Sequence, residues 1–269
     1  MNDEAFLSVY LKEIGVQTPV SSFLSGAKQS SSDTQITEVE IAEPEPMPFV
    51  AQQPEENISN QPMQSPAEVE TSVVAPLSTL APTSNDLLGL QTQAQACTAC
   101  ELASSRNQLV FGSGNESSDL VFIGDAPGRD EDIAGVPFVG RSGELFDRML
   151  ASIALKRDDV YLMNGVKCRP QHSRDPKPNE FASCERWLVS QLELLEPKLI
   201  CMLGRVVAQA LLNTEASLAE LRAGQFSFRG IPVLVLDHPS YLLRSQKHKR
   251  RAWQDLNRLQ MQYKKLQSV

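Results

Sequence analysis

Residues 120–128 read Leu-Val-Phe-Ile-Gly-Asp-Ala-Pro-Gly, a short apolar run that ends in a tight polar loop. Such a run predicts a buried strand, because a strand covered on both faces carries apolar residues at successive positions. Apolar runs that end in polar or glycine turns return at residues 160–164 and 199–204, with helical patterns between them. Strands that alternate with helices favour a parallel sheet with helices on both faces.

The flanking segments extend this pattern to the C-terminus. Helical periodicity is found at residues 141–155, 181–195 and 206–212, and a basic amphipathic helix begins near His248,. Residues 226–228 predict an edge strand or hairpin arm that leads into a strand at 233–236. We therefore predict an α/β fold, a three-layer αβα sandwich around a short, mainly parallel sheet. Gly112-Ser-Gly114 precedes a strand instead of following one, so we interpret it as a turn and not as a dinucleotide fingerprint,.

The charge of the chain differs between its two parts. Residues 1–90 contain thirteen acidic and two basic residues, together with nine of the 17 prolines. Residues 91–269 carry a formal net charge of +3, which the overall charge of −8 hides. An acidic stretch rich in Pro, Ser and Gln cannot bury enough apolar surface to offset its ordering entropy. We predict a disordered linker at residues 17–88 and one globular domain at 89–269, large enough for a substantial core.

The first 16 residues differ from this linker. Their apolar side chains recur at helical spacing, acidic residues occupy the first turn, and Gly15 supplies a stop,. A lone helix of this length is marginal in water, so we expect it to dock onto a partner or onto the protein's own domain. The segment weakly resembles the N-terminal segment of the psi subunit of the bacterial replicative polymerase, which docks onto its chi partner.

The cellular location is inferred from what the sequence lacks. No stretch reaches the length of a transmembrane helix, and the acidic start has neither the basic nor the apolar region of a signal peptide,. We expect a soluble, monomeric protein of the bacterial cytoplasm that makes no contact with a membrane.

Four of the five cysteines have a spacing typical of ligands. Cys97 and Cys100 form a C-x2-C pair, and Cys168 and Cys184 lie on either side of a Pro-rich loop. Thiolates are soft ligands, and a cytosolic chain usually keeps its thiols reduced. The spacing favours a metal or iron–sulfur site over a disulfide; unrelated buried thiols, zinc and a redox switch remain as alternatives. Cys201 lies in an apolar run and is most simply a core residue,.

Polar loops follow three of the predicted strands, at residues 124–128, 164–168 and 237–240. Ligands bind at the carboxyl ends of parallel strands, so we expect these loops to converge on one crevice. The carboxamide of Asn164 suits the edge of a nucleobase, with a turn or capping role as the alternative. His238 can donate to a developing anion, or it is an isolated structural histidine. Phe138 looks exposed, like a stacking platform for a planar ring, and the alternative is a core position in a tight loop.

Basic residues follow His238 closely, with Tyr241 and Trp253 among them. They are Arg244, Lys247, Lys249, Arg250 and Arg251. Such a run often means only a solvated face, but here it adjoins the expected crevice, which favours phosphate contacts. The chain has neither a G-x-S-x-G elbow nor a Walker loop,.

Taken together, these motifs resemble the family 4 uracil-DNA glycosylases, the iron–sulfur branch of that superfamily. The likeness runs from about Cys97 to the C-terminal helix. The motifs are, in order, Cys97-Thr-Ala-Cys100; Gly124-Asp-Ala-Pro-Gly128 with Glu131-Asp132 and Pro137-Phe-Val-Gly140; Asn164-Gly-Val-Lys-Cys-Arg-Pro170; and His238-Pro-Ser-Tyr-Leu-Leu-Arg244. The resemblance implies the fold of that family and a monofunctional DNA repair enzyme of base excision. This enzyme would flip uracil out of DNA, hydrolyse its N-glycosidic bond and leave an abasic site.

The resemblance also implies roles for single residues. Phe138 would stack on uracil, Asn164 would read its polar edge, and His238 would donate to the oxygen at position 2. Backbone amides near Asp125 and Ala126 would hold that same oxygen. A [4Fe–4S] cluster would be held by Cys97, Cys100, Cys168 and Cys184. The DNA contacts would come from Ser240, Leu242, Leu243 and Arg244, with one of the leucines and the arginine filling or bracing the gap that the base leaves.

Two positions depart from the family pattern. Asp125 stands where the family often has Glu, and Ala126 stands where a different uracil-glycosylase family places its catalytic aspartate. We expect Asp125 to position the attacking water, with Glu131 as the second candidate. No long basic insert of the kind found in covalently trapping relatives lies between Asn164 and Cys184, so we predict turnover instead of a suicide adduct. The competing hypothesis is a catalytically silent glycosylase fold that binds a replisome or repair partner through residues 1–16.

Overall fold

The structure is a computed structural model that describes residues 82–268. The predicted docking helix at 1–16 and most of the predicted linker lie outside the described residues. Helix α1, Leu87–Gln95, begins inside the segment predicted as linker, because the side chain of Asp86 caps it and accepts a 2.6 Å hydrogen bond from the N–H of Gly89,. None of the helices in the described part is long and apolar enough to cross a membrane.

A six-stranded sheet forms the centre of the domain, and its order is β1-β3-β2-β4-β6-β5. The strands are β1 Ser113–Gly114, β2 Leu120–Gly124, β3 Tyr161–Asn164, β4 Leu199–Leu203, β5 Phe226–Phe228 and β6 Ile231–Leu236. The four central strands are parallel, and β1 and β5 are antiparallel edges. The prediction of a mainly parallel sheet with an edge strand at 226–228 is confirmed. The turn predicted at residues 112–114 is instead a two-residue strand, in which Gly114 adopts a φ of 119° that favours glycine,.

Nine α-helices surround this sheet in the described part of the chain. Those that follow α1 are α2 Leu102–Ser105, α3 Arg129–Ala134, α4 Gly140–Ser152, α5 Pro178–Leu195, α6 Arg205–Leu212, α7 Leu218–Ala223, α8 Pro239–Arg244 and α9 Lys249–Gln267. Single 3-10 turns occur at Arg157–Asp159, Gln171–Ser173 and Gln246–His248. The helices at 141–155, 181–195 and 206–212 and the closing basic helix are confirmed, with ends that differ by a few residues.

Two hydrophobic cores lie on opposite faces of the sheet. Because successive strand side chains point to opposite faces, Phe122 of β2 packs against α4 and α9, whereas Val121 and Ile123 pack against the helices of the other face,. The strand side chains of both cores are fully buried, since Phe122, Val121 and Ile123 have no exposed surface. The sheet is therefore rigidly held between two helical layers, which confirms the three-layer αβα architecture.

The carboxyl ends of the central strands are tied to one another by the loops that leave them. The N–H of Gly165, after β3, donates to the carbonyl of Gly124 at the end of β2 (2.8 Å). The N–H of Gly204, after β4, donates to the carbonyl of Leu236 at the end of β6 (2.9 Å). These bonds continue the ladder past the strands and fix the base of the crevice that the next section describes.

Candidate active site

A cavity of about 800 Å³ opens at the carboxyl ends of the central strands. We call it the crevice. The three polar loops predicted to converge all line it, through Asp125, Ala126, Asn164, His238, Ser240 and Arg244. Gly204, which follows β4, also lines it and was not singled out from the sequence. The structure therefore brings together side chains that lie more than 100 residues apart in the chain.

Gly124 is the point at which the side chains of Asn164 and Phe138 meet. A Cβ added there would lie 2.5 Å from Oδ1 of Asn164 and 2.9 Å from Cζ of Phe138. Real Cβ atoms do not approach other atoms so closely, so any larger residue would displace one of these two side chains. Asn164 is itself 1% exposed, and its Nδ2 atom has no hydrogen-bond partner in the structure. A buried amide left without an acceptor is costly unless a ligand supplies one.

Phe138 is buried, so the expectation of an exposed stacking platform is wrong. Its side chain is 1% exposed, and its ring lies 5.1 Å from that of Phe146 at an interplanar angle of 28°. The ring of His238 lies 6.2 Å away at 30°. Phe138 therefore belongs to the core below the crevice, and its edge at Cζ reaches the surroundings of Gly124 and Asn164. Exposure failed as a prediction because the ring packs against Phe146 of the helix that follows, which covers it.

His238 ends the loop after β6 and caps helix α8. Its Nδ1 atom accepts from the N–H of Ser240 (3.2 Å) and lies 2.8 Å from the Ser240 hydroxyl. An Nδ1 atom that accepts a backbone hydrogen bond carries no proton, so the neutral ring carries its proton on Nε2. Burial lowers the pKa of His238 to about 4, and the charge of Arg244 adds to the decrease,. At neutral pH the imidazole is therefore an uncharged donor.

Asp125 lies at the other wall of the crevice, after β2. Its Oδ1 atom accepts from the N–H of Val207 in the first turn of α6 (2.8 Å). Burial raises the pKa of Asp125 to about 7 although this hydrogen bond lowers it, and the neighbouring Asp175 raises it further,. A Cβ at Gly204 would lie 3.3 Å from Oδ2 of Asp125 and 3.4 Å from Cβ of His238, so the two side chains flank this glycine.

Glu131 lines the crevice as well, but its carboxylate is already engaged. Oε2 accepts from the N–H of Gly128 (2.6 Å), and Oε1 accepts from the N–H of Phe138 (2.5 Å). Burial raises the pKa of Glu131, while these two hydrogen bonds lower it. The side chain thereby joins the loop after β2 to the loop that carries Phe138. Both carboxylate oxygens of Glu131 thus accept hydrogen bonds from the backbone, whereas in Asp125 only Oδ1 does. Of the two carboxylates, Asp125 is therefore the better placed to bind the attacking water.

Helix α8 places the two leucines predicted to contact DNA in different surroundings. Leu242 has no exposed surface and belongs to the core, so it does not fit the role of a side chain that enters DNA. Leu243 is 38% exposed, and Arg244 is exposed and lines the crevice. One turn of helix places neighbouring residues on different faces, so the docking of α8 on the core decides which leucine faces outward.

The basic run after α8 is only partly available for phosphate contacts. Arg251 forms a two-pronged ion pair with the fully buried Asp237, with N–O distances of 2.6 and 3.0 Å. Lys249 is buried, at 5% exposure, whereas Lys247 and Arg250 are exposed. Asp237 directly precedes His238, so the pair fixes the loop that carries the histidine. This role of Arg251 was missed from the sequence, because the pairing spans 14 residues and no local pattern marks it.

The four spaced cysteines meet around one small cavity, which we call the cysteine cavity. It is lined by Cys97, Cys100, Cys168 and Cys184 together with Arg106, Lys167 and Trp187, among others. All five cysteines are free thiols, and Cys201 lies apart in the core with no exposed surface. Within residues 82–268, no three or more His, Cys, Asp or Glu side chains are grouped so as to hold a single metal ion.

Hydrogen-bond donors surround the sulfur atoms of the cysteine cavity. Cys97 Sγ accepts from the indole of Trp187 and from Arg186, both at 3.3 Å. Cys168 Sγ accepts from Arg106 at 3.1 Å, and Cys184 Sγ accepts from the N–H of Lys167 at 3.3 Å. The ammonium of Lys167, fully buried, donates to the carbonyl of Asn164 (2.9 Å) and thus connects this cavity with the crevice.

Burial raises the pKa of Cys168, and it raises that of Cys184 to about 12. Without a group that binds them as thiolates, these two sulfurs would therefore be protonated at neutral pH.

Comparison with known proteins gives the relationships of the chain. The model of the uracil DNA glycosylase superfamily matches residues 111–257. The type-4 uracil-DNA glycosylase of Archaeoglobus fulgidus is 50% identical over 118 residues, which are 44% of this chain and 59% of that protein.

Two further relatives carry the same name and are covered over more of their length. The protein of Thermotoga maritima is 39% identical over 157 residues, 58% of this chain and 82% of the relative. That of Pyrobaculum aerophilum is 33% identical over 167 residues, 59% of this chain and 85% of the relative. The family match at residues 111–257 covers the residues that line the crevice. The chain therefore belongs to the uracil DNA glycosylase superfamily, within its type-4 branch.

Proposed function

We propose that the protein is a monofunctional uracil-DNA glycosylase of base excision repair. The observation that carries the proposal is the buried Nδ2 atom of Asn164, which has no hydrogen-bond partner and lies beside Phe138 and His238. Uracil supplies what this amide lacks, because its oxygen at position 4 accepts a hydrogen bond. Relatives named type-4 uracil-DNA glycosylases support the same substrate.

Recognition of uracil follows from the donors and acceptors of the crevice. The Nδ2 atom of Asn164 donates to the oxygen at position 4, and its Oδ1 accepts from the N–H at position 3. Cytosine presents an amino group at position 4, so the same amide disfavours it. The base must leave the stack to reach this depth, and the cost of unstacking is met in part by contact with the Phe138 edge.

Bond cleavage places a negative charge on uracil, and His238 stabilises this charge. As the N-glycosidic bond breaks, its electron pair moves to the base and the sugar becomes oxocarbenium-like. A neutral imidazole with its proton on Nε2 donates to the oxygen at position 2, where much of the charge develops. Backbone amides near Asp125 and Ala126 are assigned to the same oxygen. Ser240 holds the tautomer through Nδ1.

Asp125 takes the role of the group that orients the attacking water. Its pKa of about 7 leaves a substantial carboxylate fraction at neutral pH, and a base poised near the working pH is the most effective,. The carboxylate also faces the positive charge that develops on the sugar. The N–H of Val207 fixes its orientation. Water then adds to the sugar carbon and gives a proton to the Asp125 carboxylate, while uracil leaves as the anion; an abasic site remains, without a covalent adduct to the protein.

DNA is held by the surface around the crevice. We assign Leu243 to the gap left by the flipped base, with Arg244 bracing it and Ser240 near the backbone. Lys247 and Arg250, both exposed, are assigned to phosphates of the neighbouring nucleotides,.

The residues of the cysteine cavity fit a [4Fe–4S] cluster. Four sulfurs share one small cavity, N–H donors point at three of them, and three cationic side chains offset the charge of bound thiolates. When bound, the cluster supplies a covalent link between the domain's entry segment, the loop after β3 and helix α5. We assign it no part in the cleavage of the glycosidic bond.

The competing adaptor hypothesis receives no support from the described residues. It depended on residues 1–16, which lie outside them, and on a silent crevice. Asn164, His238 and Asp125 are all present and converge in the crevice. We retain a replication or repair protein as a proposed partner of residues 1–16, and the bacterial cytoplasm as the proposed location.

The test is the excision of uracil from a defined oligonucleotide. Incubation of the purified, brown protein with a 5′-labelled strand containing one uracil, followed by alkali, should give scission at that position. The same strand with thymine in place of uracil is the control and should stay intact. Absence of scission from a protein that retains its visible absorption contradicts the proposed function.

A further inference from the structure

The two peptide groups that flank the Cα atom of Phe138 are each held by a charged side chain. Its N–H donates to the carboxylate of Glu131 at 2.5 Å, and its carbonyl accepts from Nη2 of Arg157. The guanidinium also donates to the carbonyl of Pro137 through Nη1 at 3.4 Å. Arg157 is itself anchored, because its Nε donates to Oδ1 of Asp147 at 2.6 Å. The Arg157 side chain thus joins α4, the start of β3 and the loop that carries Phe138.

The backbone of Phe138 needs this clamp. Its φ of 54° lies in the left-handed region, which bulky residues avoid and which persists only where the surroundings determine it,. Gly143 of α4 makes the approach possible, since a Cβ there would lie 1.9 Å from the Phe138 carbonyl oxygen. Strained aromatic residues of this kind cluster at functional sites, and this one lies below the recognition amide.

The direction of the Phe138 ring depends on this backbone conformation. Rotation of the chain toward an ordinary negative φ would turn the Cα–Cβ bond, and with it the ring, away from Gly124 and Asn164. Glu131 holds only the N–H, so it does not by itself fix the carbonyl. Arg157 supplies the missing half of the constraint.

We propose that Arg157 is a positioning residue for uracil recognition, which fixes the edge of the Phe138 ring against the base by holding the Phe138 carbonyl. The inference rests on the proposed function, because it names a specificity determinant of the same crevice. Arg157 itself does not line the crevice, and its effect passes through Phe138. A purely structural role would lower stability and leave the excision rate of the folded protein unchanged.

The experiment compares Arg157→Met with Arg157→Lys and a matched control. The control is Arg229→Met, far from the crevice in the β5–β6 turn. Arg229 also pairs with a carboxylate, that of Glu193 at 3.1 Å, and its own backbone φ is positive. Two quantities are measured on folded protein: the single-turnover excision rate constant at saturating single-stranded uracil DNA, and the Kd for the same strand with an abasic site.

We expect the excision rate constant of Arg157→Met to fall roughly tenfold to a hundredfold, since a displacement of about 1 Å has effects of this size. The Kd for DNA should change less than about twofold, a difference that separates positioning from phosphate contact. Arg157→Lys should recover part of the rate, because an ammonium keeps one donor but not the fork. Arg229→Met should retain the rate of the unchanged protein.

A second variant tests the same contact without touching the arginine. Gly143→Ala improves helix propensity, yet it must push the Phe138 carbonyl away, so its excision rate should fall as well,. Crystal structures of Arg157→Met and of the unchanged protein give a readout that does not depend on catalysis, and Phe138 should leave its left-handed conformation in the variant.

Two results would overturn the inference. One is an Arg157→Met protein in which Phe138 keeps its position, and the other is excision at the rate of the Arg229→Met control. Lack of excision by the unchanged protein contradicts the proposed function instead, and the crystal structures then still decide whether Arg157 positions Phe138.

Discussion

The crevice and the cysteine cavity lie at two ends of the same short segment, residues 164–168, and they treat polar groups in opposite ways. In the crevice the Nδ2 atom of Asn164 has no hydrogen-bond partner, and the imidazole of His238 has its Nε2 proton available. In the cysteine cavity N–H donors point at the sulfurs, and buried or partly buried cations surround them. The first arrangement suits a ligand that enters and leaves, and the second suits a group that stays.

The two regions therefore contribute differently to the free energies of folding and of substrate binding. An unsatisfied amide destabilises the free protein, and that cost is recovered only when the correct base arrives. A sulfur that already accepts hydrogen bonds in the free protein gains no comparable free energy when a substrate binds. We therefore expect changes in the crevice to alter rates in a stable protein, and changes in the cysteine cavity to alter stability first.

The largest effect should follow the removal of His238. In His238→Ala the developing charge at position 2 of uracil loses its side-chain donor, and we expect the single-turnover excision rate to fall roughly a hundredfold to a thousandfold. The exposed His172 provides the matched control, and His172→Ala should excise normally. The thermal midpoint of His238→Ala should stay close to that of the control. A large loss of stability in His238→Ala would break the distinction between the two regions.

The next effect concerns the cysteine cavity. Cys184→Ala should abolish the broad visible absorption of the purified protein, because one of four ligands is lost. We expect its Tm to fall by about 10 °C more than that of Cys201→Ala, which corresponds to roughly 3 kcal/mol. Cys201 is an equally buried thiol of the core, so Cys201→Ala controls for the lost sulfur and should stay brown. Equal behaviour of the two variants would remove the cofactor from the proposal.

A smaller effect is expected from pH, through Asp125. With a pKa of about 7, only about a tenth of the Asp125 side chains are ionised at pH 6, so the excision rate should rise close to tenfold between pH 5 and 6 and level off above pH 7,. His238, with its pKa of about 4, stays neutral over this range and adds no further pH dependence to the excision rate. Asp125→Asn should be slower and nearly independent of pH. A rising limb that survives in Asp125→Asn would assign the titration to another group.

The same shift has a consequence for stability, and its sign is opposite. The folded protein binds the Asp125 proton more tightly than the unfolded chain does, so this group's contribution to the free energy of unfolding decreases as pH rises from about 4 to 7,. Rate and stability should therefore move in opposite directions over that interval.

The smallest effect is expected at the DNA surface. Leu243→Ala should slow the excision of uracil from double-stranded DNA about tenfold and from single-stranded DNA far less, since only a duplex leaves a gap to fill. Leu88→Ala removes a leucine of 75% exposure on α1 and serves as the control. Equal losses on both substrates would assign Leu243 to backbone contact instead of the gap.

The sequence was sufficient where structure is local. The runs at 120–124 and 199–203 predicted strands correctly because a buried parallel strand is apolar throughout, and the loops after strands predicted the crevice because parallel strands end at one edge. The exposure of Phe138 was mispredicted because Phe146 of α4 covers its ring, while Glu131 and Arg157 hold its backbone. Such contacts leave no local signal.

The basic run shows the same limit in terms of charge. Its composition suggested one face toward DNA, yet Arg251 pairs with Asp237 and Lys249 is buried. The choice between Leu242 and Leu243 also depended on how α8 docks, which periodicity in a helix of six residues does not specify,.

The pair of Asp237 and Arg251 makes helix α9 necessary for the position of His238. Without α9, the buried carboxylate of Asp237, next to His238, would lose both hydrogen bonds from Arg251 and keep only Arg222, whose Nε lies 3.9 Å from Oδ2. A nonsense mutation near residue 248 would therefore displace the histidine loop at a distance, and it would also remove Trp253 and Leu256 from the core.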